Sequence, residues 1–441
     1  LMQIIKQNYL NKLNNNQREA VINPDGPCLI VAGAGSGKTK VLTTRVVHII
    51  REKKAWPNQI LCVTFTNKAA REMQNRIADS LNEKTSSLPW LGTFHSVSSK
   101  ILRRHAESVG LNSRFTIIDQ EDQLRLIKNI CKADNIDVKK VAPRFILSFI
   151  NQWKNKGLLP NDVVIKKGIP LERAILNVYK IYQERLKILN SCDFGDLILH
   201  TVKILENYPD IRQIYSNNFK YILVDEYQDT NLAQYELVRT LVNEKQALTV
   251  VGDDDQSIYA WRGARPENLM QLQTDFPDLE IIKLEQNYRS TGRILRAANT
   301  LIDNNPHLIS KQLWSELGPG DPLRLISAEN EEDECERVVN EIIDMRLKRR
   351  CKYSDFAILY RGNYQAKLAE IKLQSQSIPY EITGGQSFYA KTEIKDVMAY
   401  LRLLINPDDD NALLRIINTP RRQVGPTTLE TVSYTHLRAH E

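Results

Sequence analysis

The sequence predicts an α/β protein with parallel strands, a purely helical segment interrupting its first sheet, and a second α/β unit behind it. Two observations carry this. Four short apolar runs, Cys28–Val31, Ile60–Val63, Tyr221–Val224 and Leu248–Val251, are rich in β-branched residues, and each gives way within two residues to Gly, Thr or Asp. Buried parallel strands read this way, with the chemistry at their C-terminal ends. From about 93 to 195 such runs stop, and Leu171, Ile175, Val178, Tyr182, Leu186 and Leu189 recur at helical spacing.

In chain order, the first strand leads into a helix from Lys38 to Arg51, and Phe145 to Trp153 reads as a helix of the insertion. The second unit begins at about 281. Its candidate strands are Leu323–Ile326, Phe356–Tyr360 and Pro379–Ile382, with helices at about 331–348 and 364–376 between them. Asn406-Pro407-Asp408-Asp409-Asp410 is a turn and helix start. The last nine residues, Ser433–Glu441, continue no apolar period and are expected to be a non-native tail.

Composition bounds the function classes. The 441 residues are 42% hydrophobic and 26% charged, a balance that excludes a fibre or a largely disordered chain. No window approaches the roughly 18 apolar residues of a membrane span. The start shows no secretory pattern. The six cysteines, Cys28, Cys62, Cys131, Cys192, Cys335 and Cys351, form no CxxC pair, so a cytoplasmic protein with packed thiols is expected. A net charge of +7 permits a polyanionic partner without requiring one.

Ala32-Gly33-Ala34-Gly35-Ser36-Gly37-Lys38-Thr39 lies between a strand and a helix, the setting of a phosphate loop. Its glycines let backbone N–H groups turn toward phosphate oxygens, and the helix start adds partial positive charge. Lys38 would neutralise the β/γ-phosphates and Thr39 would ligate Mg²⁺. Ala32 stands where the usual pattern has Gly. Asp225 and Glu226 follow the third apolar run. Asp225 would hold the metal, and Glu226 would orient and deprotonate an attacking water. In Gly252-Asp253-Asp254-Asp255-Gln256-Ser257-Ile258-Tyr259-Ala260-Trp261-Arg262-Gly263, Gln256 could bond a γ-phosphate. Tyr259 and Trp261 lie in a polar stretch, where stacking on unpaired bases explains them better than core packing.

With these, Thr64-Phe65-Thr66-Asn67-Lys68-Ala69-Ala70, Gly92-Thr93-Phe94-His95-Ser96, Asp225-Glu226-Tyr227-Gln228-Asp229-Thr230 and Gln286-Asn287-Tyr288-Arg289-Ser290 occur in order. The chain resembles the UvrD/Rep group of superfamily-one DNA helicases over about 13–426. The resemblance implies a RecA-like ATP-binding P-loop NTPase domain at 1–92 and 196–280, a helical insertion at 93–195 and a partial second RecA-like domain at 281–380. The start of a further mobile domain would follow at 381–432. It implies that Gln17 reads the adenine edge, Tyr288 stacks on it, and Arg289 reaches the γ-phosphate from the second domain. Phe65, Asn67, Lys68, His95, Tyr259, Trp261 and Arg262 would meet the strand, and Gly384-Gly385-Gln386-Ser387-Phe388 is a further motif. The activity implied is ATP- and Mg²⁺-dependent 3′ to 5′ unwinding in replication or repair, with closure of the two domains on ATP. The implied partners are single-stranded DNA, 3′-tailed duplex or fork DNA and replication proteins; the protein would be a monomer or DNA-induced dimer with no membrane contact.

Two later family motifs, one reading Thr-Leu-His-x-Ser-Lys-Gly-Leu-Glu, do not occur, so a C-terminally truncated piece is expected. The competing reading is a module that binds ATP and single-stranded DNA without productive unwinding. A phosphate-loop enzyme acting on a small molecule leaves Phe65, Tyr259, Trp261 and the helical insertion without a role.

Overall fold

The structure is a computed structural model that describes residues 9–23, 25–81, 88–134, 136, 141–165, 170–242, 247–383, 391–405, 407, 409–425, 428 and 431. It divides into two compact units, Leu1–Asp321 and Pro322–Glu441.

The first unit is built on strands β1 (Cys28–Ala32), β2 (Ile60–Thr64), β3 (Leu91–Thr93), β6 (Tyr221–Val224), β7 (Leu248–Gly252) and β8 (Glu280–Leu284), with a short pair, β4 (Thr116–Ile117) and β5 (Ser191–Cys192), set apart. The sheet order is β3-β2-β6-β7-β1-β8, and every pairing is parallel. Strands β1, β2, β6 and β7 are buried at every position, which is why they read as continuous apolar runs. Successive side chains enter opposite cores. Leu29, Val31, Leu61 and Val63 pack on one face; Cys28, Ile30 and Cys62 pack on the other with Val41, Val46 and Ile77.

Two boundaries differ from the sequence reading. The first domain was expected to end at 280, yet Glu280–Leu284 pairs with β1, and the compact unit continues to Asp321. As an edge strand, β8 leaves Glu280, Ile281 and Lys283 exposed, so its polar residues break the apolar run. The insertion was expected to start at 93, yet the Phe94–Arg104 and Phe194–Asn207 helices contribute to the sheet's own core. A separate helical core spans Ile118 to Leu186, and the β4–β5 ladder lies at its root.

The second unit holds the Glu331–Arg349, Ala366–Ser375, Thr392–Ile405 and Asp410–Ile416 helices. Asn330 caps the first of these, whose acidic first turn and basic last turn both suit the helix dipole. The three strands expected here are not strands. Residues 323–326, 356–360 and 379–382 carry no ladder among the described residues. Ile358 packs with Val339, Leu373 and Ile378, while Leu325 and Leu359 are fully or almost fully exposed. Apolar alternation orients such a segment against helices, but a strand also needs a neighbour to pair with. Residues 384–388 and 433–441 lie outside the described residues.

Candidate functional site

Because all six strands of the sheet run parallel, their C-terminal ends share one edge. The loop at 33–39 leaves β1, Phe65 follows β2, His95 follows β3, Asp225 and Glu226 follow β6, Asp253–Gln256 follows β7, and Gln286–Arg289 follows β8. Motifs separated by more than two hundred residues thereby meet.

The loop turns through left-handed backbone at Gly35 (φ 69°) and Gly37 (φ 90°), where an L side chain would be strained. It then enters the Lys38–Arg51 helix. Lys38 Nζ lies 3.0 Å from Glu226 Oε2 and 3.1 Å from Gln256 Oε1, so the three residues expected to act together are together. Glu226 also accepts from Gln228 Nε2 at 2.8 Å and holds a left-handed backbone (φ 49°). Such backbone in a non-glycine residue costs free energy of order 1–3 kcal/mol and persists only where its surroundings enforce it. Asp225 is 5% exposed. Burial, then the charge of Glu226, pushes its carboxyl up to about 7, with Lys38 opposing. Asp229, one turn on, is pushed up to about 6 by burial and by Glu226. Asp225 and Thr39, the hydroxyl on the first turn of the Lys38–Arg51 helix, offer oxygen donors of the kind a divalent cation takes.

Gln17 sits beneath the loop, fully buried. Its Nε2 donates to Ser36 O at 2.8 Å, and its Oε1 accepts from Asn14 N–H. Ala32 completes β1, and Gly33, Ala34 and Ser36 form the turn, with Ser36 Oγ donating to Gly33 O. Tyr288 is half-exposed, its hydroxyl donating to Gln286 Oε1 and accepting from Asn14 Nδ2. Arg289 was expected to approach from a second domain. It lies instead in the unit that carries the loop: Tyr288 N–H donates to Gly35 O at 3.0 Å and Asn287 Nδ2 to Ala34 O at 2.5 Å.

Beside this cluster, Phe65 and Tyr259 stack with centroids 5.2 Å apart, and Tyr259 is 6.3 Å from Trp261. Arg262 lies over the Trp261 ring at 4.6 Å. Trp261 is 74% exposed, far more than a core aromatic. Asn67 and Lys68 are exposed on the first turn of the Asn67–Leu81 helix. His95 stands apart from the stack and packs edge-on against Phe194, centroids 5.8 Å apart; burial pulls its pKa down. Sequence reasoning missed Phe194, a half-exposed phenylalanine at a helix start, and Lys311, described below.

No helix among the described residues is long and apolar enough to cross a membrane. Residues 13–277 match the model of the UvrD/REP helicase N-terminal domain, and residues 282–440 that of the UvrD-like helicase C-terminal domain. The chain is 48% identical over 419 residues to the ATP-dependent DNA helicase Rep of Escherichia coli (strain K12), covering 95% of this chain and 62% of that protein. It is 46% identical over 432 residues to the ATP-dependent DNA helicase PcrA of Bacillus subtilis (strain 168), covering 98% of this chain and 58% of that one. The chain thus spans about three-fifths of the length of these curated relatives.

Proposed function

From the premise that the chain belongs to the UvrD/Rep helicase family, we propose that it binds ATP with Mg²⁺ at the 33–39 loop and couples hydrolysis to movement along single-stranded DNA. The observation that carries this reading is the shared sheet edge. Lys38, Glu226 and Gln256 form one cluster there, and the loop that holds Gln256 continues directly into Tyr259 and Trp261.

Lys38 neutralises phosphate charge, while the backbone N–H groups of 33–39 orient the phosphates. Glu226 accepts the proton of the attacking water. Thr39 and Asp225 would hold Mg²⁺, which when bound would neutralise phosphate oxygens. Tyr288 stacks on the adenine, Gln17 borders it, and Arg289 supplies charge to the γ-phosphate. Phe65, Tyr259 and Trp261 stack on bases; Asn67, Lys68 and Arg262 contact the phosphate backbone, and His95 lines the path beside Phe194. In the whole protein this motor would translocate 3′ to 5′ and open 3′-tailed or forked duplex in replication or repair.

The test is ATP hydrolysis with and without a single-stranded oligonucleotide, for the wild type and Lys38→Ala. Stimulation by the strand, lost in Lys38→Ala, is expected. Strand binding should weaken steeply between about 50 and 200 mM salt, because phosphate contacts release counterions. Binding of both ligands without turnover would favour the strand-binding module instead. Absence of strand binding at low salt would remove both readings.

A further inference from the structure

Between the phosphate loop and the exposed aromatics lies a second lysine. The Lys311 side chain is 2% exposed, and its Nζ sits 2.6 Å from Asp253, 2.5 Å from Asp255 and 3.3 Å from Asp254. Burying an ammonium is costly unless carboxylates surround it, and three consecutive carboxylates repel one another without a cation. Each side of this contact therefore depends on the other. Asp254, Asp255 and His307 are close enough to hold a metal ion, but Lys311 already supplies the positive charge.

The segment carrying Lys311 grips the acidic turn at further points. His307 Nδ1 is 3.0 Å from Asp255, and Leu308 N–H donates to Asp254 at 2.8 Å. Its other end rests on the nucleotide side. A Cβ on Gly33 would run into the Leu313 side chain. Asn287 N–H donates to Trp314 O at 2.7 Å, and the Asn287 amide bonds Ala34 O in the phosphate loop. Residues 307–314 thus form a strap joining the loop at 33–35 to the turn at 253–256. That turn holds Gln256 against Lys38, with the Gln256 amide also donating to Asp253, and leads into Tyr259 and Trp261.

We infer that Lys311 is a positioning residue that couples nucleotide binding at Lys38 to strand binding at Tyr259 and Trp261, by fixing the acidic turn to the strap. A phosphate drawn to Lys38 changes the partner of Gln256, and Gln256 is bonded to Asp253. With Asp253 locked to Lys311, the change passes as a movement of the whole turn. Without that lock the turn relaxes locally. The inference rests on the ATP and single-strand reading above.

Coupling between two sites is reciprocal and typically about 5- to 150-fold in affinity. The experiment measures the dissociation constant of a fluorescein-labelled oligothymidylate by anisotropy, with and without Mg²⁺ and a non-hydrolysable ATP analogue. For the wild type the two constants should differ about fivefold or more. In Lys311→Met they should agree within about twofold although both ligands still bind, and Lys311→Arg, which keeps the charge, should restore most of the difference. A Lys311→Met protein with wild-type coupling overturns the inference, as does a wild type that binds both ligands without coupling. If Lys311→Met does not melt cooperatively, Asp255→Asn decides: a reduced ratio supports the lock, and an unchanged ratio overturns it. A wild type that binds neither probe sinks the ATP and single-strand reading itself, and the inference with it.

Discussion

Lys38 and Lys154 both hold an ammonium against carboxylate in the same compact unit, and they differ in how completely it is enclosed. Lys154 and its partners Asp193 and Asp196 are essentially unexposed, with Nζ to oxygen distances of 2.6 and 2.7 Å. Tyr182 donates to the same Asp193 oxygen, and the two aspartates cap the Phe194–Asn207 helix. Lys154 and Tyr182 come from helices whose apolar faces build the insertion core; the capped helix belongs to the sheet core. The cluster joins the two cores. Lys38 instead has one carboxylate oxygen and one amide oxygen, and Glu226 is about one-third exposed. An ammonium has more donors than these contacts use. An enclosed charge is architecture; a charge on a glycine loop with few partners is available to a ligand.

Lys154→Ala leaves two buried carboxylates without their cation and should cost about 3–5 kcal/mol, read as a lower denaturation midpoint. A midpoint unchanged from wild type would mean that the cluster does not hold the cores together.

Asp225 should respond with the opposite sign. Its folded-state pKa of about 7 lies above the ordinary carboxylate value of 3.8, so the folded protein binds its proton where the unfolded chain does not. Stability should therefore fall as pH rises from about 4 to about 7, and stay at the lower level above that. Asp225→Asn should remove this slope and stabilise the metal-free protein at pH 8 by at most about 4 kcal/mol. Melting curves with the same pH slope in both proteins would contradict it.

The residues proposed to meet the strand should differ again. Trp261 is exposed, so Trp261→Ala should leave the melting temperature in place while weakening oligonucleotide binding by about 1–3 kcal/mol. Lys68→Ala should act more weakly, lowering the salt slope of strand binding by about one. A sequence-dependent loss in either variant would point to base-edge readout instead of stacking and phosphate contact.

The same contrast explains what could be read from the sequence. The phosphate loop is local: strand, glycine turn and helix follow one another within Cys28–Arg51, so the residues alone specify it. The central strands were legible because burial on both faces leaves an apolar run. The edge strand β8 was not, since Glu280 and Lys283 face outward. Residues 323–326 and 356–360 carry the composition of strands, but pairing is non-local and no ladder forms there among the described residues. Lys154 and Lys311 were missed for a related reason. An isolated lysine reads as a solvated side chain until the fold brings its carboxylates. The available signals were faint: Lys154 lies beside Ile150 and Trp153 on a helix's apolar face, and three consecutive aspartates at 253–255 require a cation from somewhere.

Nucleotide binding through Lys38 is tested most directly by melting wild type and Lys38→Ala with and without Mg²⁺ and ATP. A ligand that binds only the folded state raises its stability by an amount set by its concentration and affinity, about 2.7 kcal/mol at a hundredfold excess over Kd. Lys38→Ala should melt close to wild type without nucleotide and lose most of the nucleotide-induced rise. A variant that melts far below wild type, or that keeps the full rise, would contradict it.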